Sequence, residues 1–261
     1  MTWLPVSVLL LALSLGIPAW AQAEVAPDDR PPCEMPQDLV TPTAPLSHVA
    51  AALAANETVE ILALGSGSTV GETGGAGGPA YTYRTPGASF PYRMLDALQA
   101  VRPSGRFHLT VKGGRNMTAE TMSEILRQEL AAHRYTLVIW QTGTVEAVRG
   151  LRPDFLRGML QEGVDAAVQA GADVVLVDPQ FSRFLRANTD VDPYEGVLEQ
   201  IAGQAGVSLF RRFDLTQIWV NSGDVDPEHA SREQRDKTVA LLNTCLGQAL
   251  ARYVLAGAEE H

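Results

Sequence analysis

The sequence predicts an α/β fold with three layers, α/β/α, built on a five-stranded parallel sheet. Short Val-, Ile- and Leu-rich runs alternate with longer helical stretches, and hairpin signals are few. The first apolar run also stops abruptly in glycines and serines, as a strand leading into a ligand loop does. Strands buried on both faces read as continuous apolar runs, and strand–helix alternation implies right-handed βαβ crossovers. In order, strands are expected at 58–64, 107–112, 136–141, 173–178 and 207–210. Helices are expected at 89–101, 118–134, 153–170, 193–205 and 231–255, the last with Ser231 as N-cap. A glycine-rich loop spans 71–87, and the Pro-rich residues 24–44 are expected to wrap the surface.

Residues 1–23 hold an apolar run over 6–17, then Pro18 and the small-x-small sequence Ala21-Gln-Ala23. That is the pattern of a secretory signal cut before Glu24, implying a periplasmic or secreted protein. A bilayer span needs ~20 apolar residues, more than this run supplies. No later segment is expected to cross a membrane. The expected organisation is therefore a signal peptide (1–23), an arm with a first helix (24–57), one α/β domain (58–256) and a frayed tail (257–261).

The formal net charge is −10, from 30 acidic against 20 basic residues, which argues against nucleic acid as a partner, so none is expected. The five histidines show no ligand spacing, so no metal is expected. Gly65-x-Gly67 falls short of a dinucleotide fingerprint, so no cofactor is expected either. Cys33 and Cys245 are expected to form a disulfide pinning the arm to the last helix, the alternative being two buried thiols. Phe181-Ser-Arg-Phe-Leu-Arg186 reads as an amphipathic turn packing two phenylalanines, and Arg211 and Arg212 read as solvated or paired surface charges.

Ligands of such sheets bind beyond the carboxyl ends of the strands. Those ends hold Gly65-Ser-Gly-Ser-Thr69, Gly113-Gly-Arg-Asn116, Thr142-Gly-Thr-Val-Glu146 and Asp178-Pro-Gln180, with Asp226-Pro-Glu-His229 before the last helix. Their order and spacing resemble the blocks of the SGNH/GDSL hydrolases over residues 58–255, Trp140-Gln-Thr-Gly-Thr144 being particularly like the third. The resemblance implies a flavodoxin-like sheet and ester hydrolysis by a serine. Gly65 and Thr69 match the first block, while Gly67 stands where the family has its nucleophile. The candidate nucleophiles are therefore Ser68 and Ser66, with Asp226 and His229 as orienter and base. A second register places Gln234 and Lys237 at the acid and base. The oxyanion and binding candidates are Gly65, Gly67, Gly114, Asn116, Gly143 and Thr144. Val145 replaces the family's asparagine and offers no donor, and Glu146 replaces its aspartate. Two functions remain open: an O-acyl or O-acetyl esterase acting on envelope glycans or small esters, and a non-catalytic relative binding a glycan or an envelope-assembly partner.

Overall fold

A computed structural model describes residues 33–73, 81–82 and 88–259. The expected signal segment, residues 24–32 of the arm, most of the glycine-rich loop and residues 260–261 lie outside the described residues. After a 3-10 turn at Gln37–Leu39 come α1 (Ser47–Ala54), β1 (Thr58–Gly65), α2 (Gly67–Val70), β2 (Glu72–Thr73) and β3 (Tyr81–Thr82). Then follow α3 (Phe90–Val101), β4 (Arg106–Gly113), α4 (Ala119–Ala132), β5 (Leu137–Gln141), α5 (Thr144–Arg149) and α6 (Pro153–Gln169). The chain continues through β6 (Asp173–Val177), α7 (Arg183–Asn188), α8 (Asp192–Ala202), β7 (Val207–Phe210), α9 (Arg212–Ser222) and α10 (Arg235–Glu259).

The five expected strands form one sheet in the order β4-β1-β5-β6-β7, every neighbouring pair parallel. The fold is thus the doubly wound α/β sheet that the sequence predicts, with its switch in strand order between β1 and β5. Such a switch opens a crevice at the carboxyl ends of the flanking strands, here Gly65 and Gln141.

Alternate residues along each strand feed two cores. Val59, Ile61, Leu137, Ile139, Val175 and Val177 face one layer, where Met94 and Leu98 of α3 and Leu246, Leu250 and Val254 of α10 cover them. Leu62, Leu64, Val138, Trp140, Val174 and Leu176 face the other, under Met122 and Leu126 of α4, Leu160 of α6 and Leu198 of α8. Each such side chain contributes roughly 1.5–3 kcal/mol by leaving water. The two layers hold the strand ends in fixed relation.

The expected disulfide is present, and several other expectations need correction. The arm does more than wrap the surface, because Leu39, Val40 and Leu46 enter the first core. The expected bridge joins Cys33 to Cys245, with Cα atoms 5.8 Å apart, inside the range a disulfide spans. Ser231 does not cap α10: its carbonyl accepts from Gln234 and Arg235 in a turn, and the helix begins at Arg235. The tail does not fray at 257, since α10 runs to Glu259 and the buried Gly257 carbonyl accepts from Leu46 N at 2.9 Å. Finally, α10 has the length and apolarity of a membrane span, although 61% of its most apolar stretch is buried within the fold.

Candidate functional site

Gly65 closes β1, and its register partner Gly113 closes β4. Gly113 has φ of +129°, and a Cβ there would sit 1.8 Å from the Gly65 carbonyl oxygen, so glycine is required where the two strands end. Gly114 N donates to the same carbonyl at 3.2 Å. This close approach lets the chain turn at Ser66, the N-cap of the single-turn α2, with Gly67 as that helix's first residue.

The serine turn closes onto Gln141, the last residue of β5. Gln141 Oε1 accepts from Ser66 N at 3.1 Å, Ser66 Oγ at 2.8 Å and Thr69 Oγ1 at 3.1 Å, with Ser68 Oγ at 3.5 Å. Gln141 and Thr69 are each 1% exposed and Ser66 is 8% exposed, so a buried, hydrogen-bonded carboxamide lies beneath the serine turn at the strand-order switch. From the far side comes Arg212, which opens α9 immediately after β7. Its Nε donates to the Asp178 carbonyl at 3.0 Å and its Nη1 to Ser68 Oγ at 3.2 Å, and its guanidinium lies 5.8 Å from the Phe90 ring centroid. At 1% exposure it is no surface charge, correcting the sequence expectation. Burial pulls this guanidinium down to about 10, with the Asp178 charge acting against the shift. Burial likewise raises the Asp178 carboxyl well above the ordinary range, although it accepts from Phe213 N at 2.9 Å and feels Arg212.

The third block is equally tied down. Glu146, 1% exposed, accepts from Gly143 N at 3.0 Å and from Ala119 N at 2.6 Å. It thereby caps both α5 and α4, the role of an acid at a helix N-terminus. Gly143 holds φ of +96° beside Pro179, Thr144 opens α5, and Val145 is half-buried on that helix. Asn116 has φ of +62°, and its carbonyl accepts from Arg149 at 2.9 Å. The N–H groups of Gly114 and Gly143 are therefore spent on internal acceptors.

Asp226 and His229 stand in a different cluster. His229 Nδ1 lies 2.7 Å from Asp226 Oδ2, which also accepts from Arg183 Nη1 at 2.6 Å. Burial would raise the Asp226 carboxyl, but bonds from Arg183 and then His229 outweigh it and bring it down to about 2. Glu228 beside them accepts from Ser182 Oγ and Arg183 N. His229 is 72% exposed at its side chain. Among the described residues no hydrogen bond joins it to Ser66 or Ser68. Gln234 and Lys237, of the second register, are exposed.

The 181–186 segment packs one of its two phenylalanines. Phe181 meets the Phe213 ring edge-on at 5.4 Å, whereas Phe184 is 58% exposed. Sequence reasoning missed Gln141 and Arg212 as members of the crevice. Gln141 ends β5 and Arg212 lies two residues beyond the carboxyl end of β7, and that proximity to strand ends was the available signal. Among the described residues no group of acids, histidines and cysteines forms a metal site.

A family model described as the non-GDSL lipase-like family matches residues 32–260. No curated protein matches by sequence. Among solved structures, the chain is similar to TesA at 17% identity and a TM-score of 0.52, over 70% of this chain and 94% of that one. It is similar to LAE5, an alpha/beta hydrolase from the metagenome of Lake Arreo, Spain, at 16% identity and a TM-score of 0.55, over 74% and 96% of the two chains. A mutant of Axe2, an acetyl-xylooligosaccharide esterase from Geobacillus, matches at 17% identity and a TM-score of 0.56, over 77% and 94%. At these identities the likeness is one of fold.

Proposed function

The chain belongs to the non-GDSL lipase-like family and has an SGNH-hydrolase-like fold, and from that premise we propose that it is an exported protein recognising O-acylated carbohydrate or another small ester without hydrolysing it through a Ser–His pair. The observation that carries this reading is the Gln141 carboxamide, which accepts from Ser66 N, Ser66 Oγ and Thr69 Oγ1. A serine nucleophile needs a base at its hydroxyl and free donors for the developing oxyanion. An amide oxygen is no base at neutral pH, and a guanidinium, which donates to Ser68 here, cannot accept a proton. The N–H groups of Gly114 and Gly143 already have acceptors, and Val145 supplies none. Loss of one oxyanion donor costs on the order of a hundred-fold or more in rate, and here several changes coincide.

Ligand class and compartment rest on separate support. Axe2 bears the name of an acetyl-xylooligosaccharide esterase, and the family description is lipase-like, so an acyl ester on a small sugar suits the crevice. Export is supported by the leader pattern over 1–23 and by the Cys33–Cys245 bridge, which an oxidising compartment favours. A second reading, hydrolysis through Ser66 or Ser68, is favoured by one observation: the His229 ring is oriented by Asp226 as a catalytic base would be.

Turnover of p-nitrophenyl acetate by wild type, Ser66→Ala, Ser68→Ala and His229→Ala separates the two, alongside calorimetric titration with acetylated xylo-oligosaccharides. Equal background rates in all four proteins with saturable binding by wild type are expected. A wild-type rate abolished by His229→Ala and by one serine change overturns the non-hydrolytic reading. Absence of binding overturns the ligand class.

A further inference from the structure

Arg212 is an unusual group to find at the floor of a crevice for neutral esters. Its guanidinium is 1% exposed, yet among the described residues no carboxylate lies within 4.0 Å of it. Its described partners are neutral: the Asp178 carbonyl and the Ser68 hydroxyl, with the Phe90 ring nearby. The acid whose charge it feels, Asp178, is committed to the first turn of α9 through Phe213 N. A buried cation without a hydrogen-bonded counter-ion is costly, because desolvation is not returned by a direct pair. Such a charge is also poorly screened, so it acts strongly on any group entering beside it. Ser68 is only half-buried, and its hydroxyl is the group on which Arg212 converges.

We propose that Arg212 and Ser68 make the strand-end crevice a site for a single carboxylate, one ligand oxygen accepting from the Ser68 hydroxyl while the guanidinium behind it supplies the counter-charge. The inference rests on the reading that this crevice binds a small acyl or glycan ligand. The same chemistry is carried by a free short-chain acid, which is the product side of ester hydrolysis, and by the uronic acid of a glycan. The charge of the buried guanidinium supports a carboxylate over a neutral ester, and the Ser68 hydroxyl, which already accepts from Arg212, has its proton left to donate to it. Donation to an anion exchanges the long 3.5 Å contact with Gln141 for a charge-assisted bond. Gln141 retains Ser66 and Thr69 when that happens.

The test is calorimetric titration of the full exported chain, disulfide intact, with sodium acetate, sodium glucuronate, methyl acetate and methyl glucuronate. At least one acid is expected to bind one-to-one, at least ~10-fold tighter than its own methyl ester, since hydrogen bonds to charged groups are worth about 1.5–3 kcal/mol. Binding of acetate alone identifies the free acid as the source, and binding of glucuronate alone identifies the uronate; either supports the site. Ser68→Ala, a change at a half-buried position, is expected to weaken the bound acid ~10-fold or more without loss of the folded state by circular dichroism. Arg212→Gln is expected to abolish acid selectivity, and if it unfolds, the Ser68→Ala result stands in its place. Acid and methyl ester binding equally, or neither acid binding wild type, overturns the inference. If acetylated xylo-oligosaccharides bind while both acids fail, the carboxylate inference falls and the crevice reading survives. If none of these ligands binds, both fall.

Discussion

Replacing Gln141 by leucine, which has nearly the same volume, removes the acceptor at the centre of the crevice and little else. Three close donors lose their acceptor, Ser66 N at 3.1 Å, Ser66 Oγ at 2.8 Å and Thr69 Oγ1 at 3.1 Å, and Ser68 Oγ loses its long 3.5 Å contact. The hydroxyls can rotate toward other acceptors, so each costs about 1 kcal/mol, whereas the backbone N–H is fixed and costs about 1–3 kcal/mol when left buried without a partner. These donors share one acceptor and do not add fully, so the expected loss is about 3 kcal/mol. In a domain of this size that lowers Tm by about 6–12 °C. Urea unfolding should show a lower midpoint with an unchanged slope, because the surface exposed on unfolding is the same. A loss below ~1 kcal/mol would refute the claim that the serine turn is fastened to this amide. The turn would then be held by something else and its hydroxyls would be available to a ligand or a base.

Further outcomes follow from other parts of the fold. Reducing the Cys33–Cys245 bridge, which spans 212 residues, should cost up to about 5 kcal/mol through the entropy of the unfolded chain, read as a shift in the urea midpoint. Thiol labelling of the unreduced, unfolded protein should mark neither cysteine. Gly113→Ala places a Cβ 1.8 Å from the Gly65 carbonyl at a φ of +129°, and should destabilise by about 3 kcal/mol or more in thermal unfolding. Burial pushes the Glu195 carboxyl from 4.5 up to about 7, reinforced by Asp192. The native state therefore keeps a proton on this carboxyl that the unfolded chain releases between those values, so Glu195's contribution to stability falls as pH rises from 4.5 to about 7. Glu195→Gln should remove about 1–2 kcal/mol of that fall, a figure discounted for the half-exposed carboxyl. Matching pH profiles for the two proteins would contradict it.

The strands were legible because each is a short apolar run with no competing period, and four of the five expected ranges differ from the observed ones by one residue at an end or at both. Helix α9 was not legible. Its sequence Arg-Phe-Asp-Leu-Thr-Gln-Ile-Trp-Val-Asn-Ser buries Phe213, Leu215, Trp219 and Val220 together with Arg212 and Thr216, so no single apolar stripe marks it. That is also why Arg212 read as a surface charge: charge usually predicts exposure, whereas here Asp178 after β6, Ser68 of α2 and Phe90 of α3 all approach a buried side chain. Ser231 misled because the N-cap preference is local, while the actual start of α10 lies beyond a turn that Ser231 itself closes. Asp226 and His229 stand with Arg183, whereas the 65–69, 113–116 and 142–146 segments do stand at the carboxyl ends of β1, β4 and β5. What they do with their donors was not written in any one of them. Gln141 and Glu146 each reach across to a neighbouring segment, and such pairings depend on register and twist.

Reaction of the full chain with a fluorophosphonate, read by intact mass and peptide mapping, tests most directly whether the serine turn is chemically silent. Fluorophosphonates report a serine whose hydroxyl is deprotonated by a neighbouring base as it attacks. With Ser66 fastened to Gln141 and Ser68 accepting from Arg212, the mass should remain unchanged after prolonged exposure. A single phosphonyl adduct on Ser66 or Ser68, lost in His229→Ala, would contradict the account and restore the family's hydrolytic chemistry to this crevice.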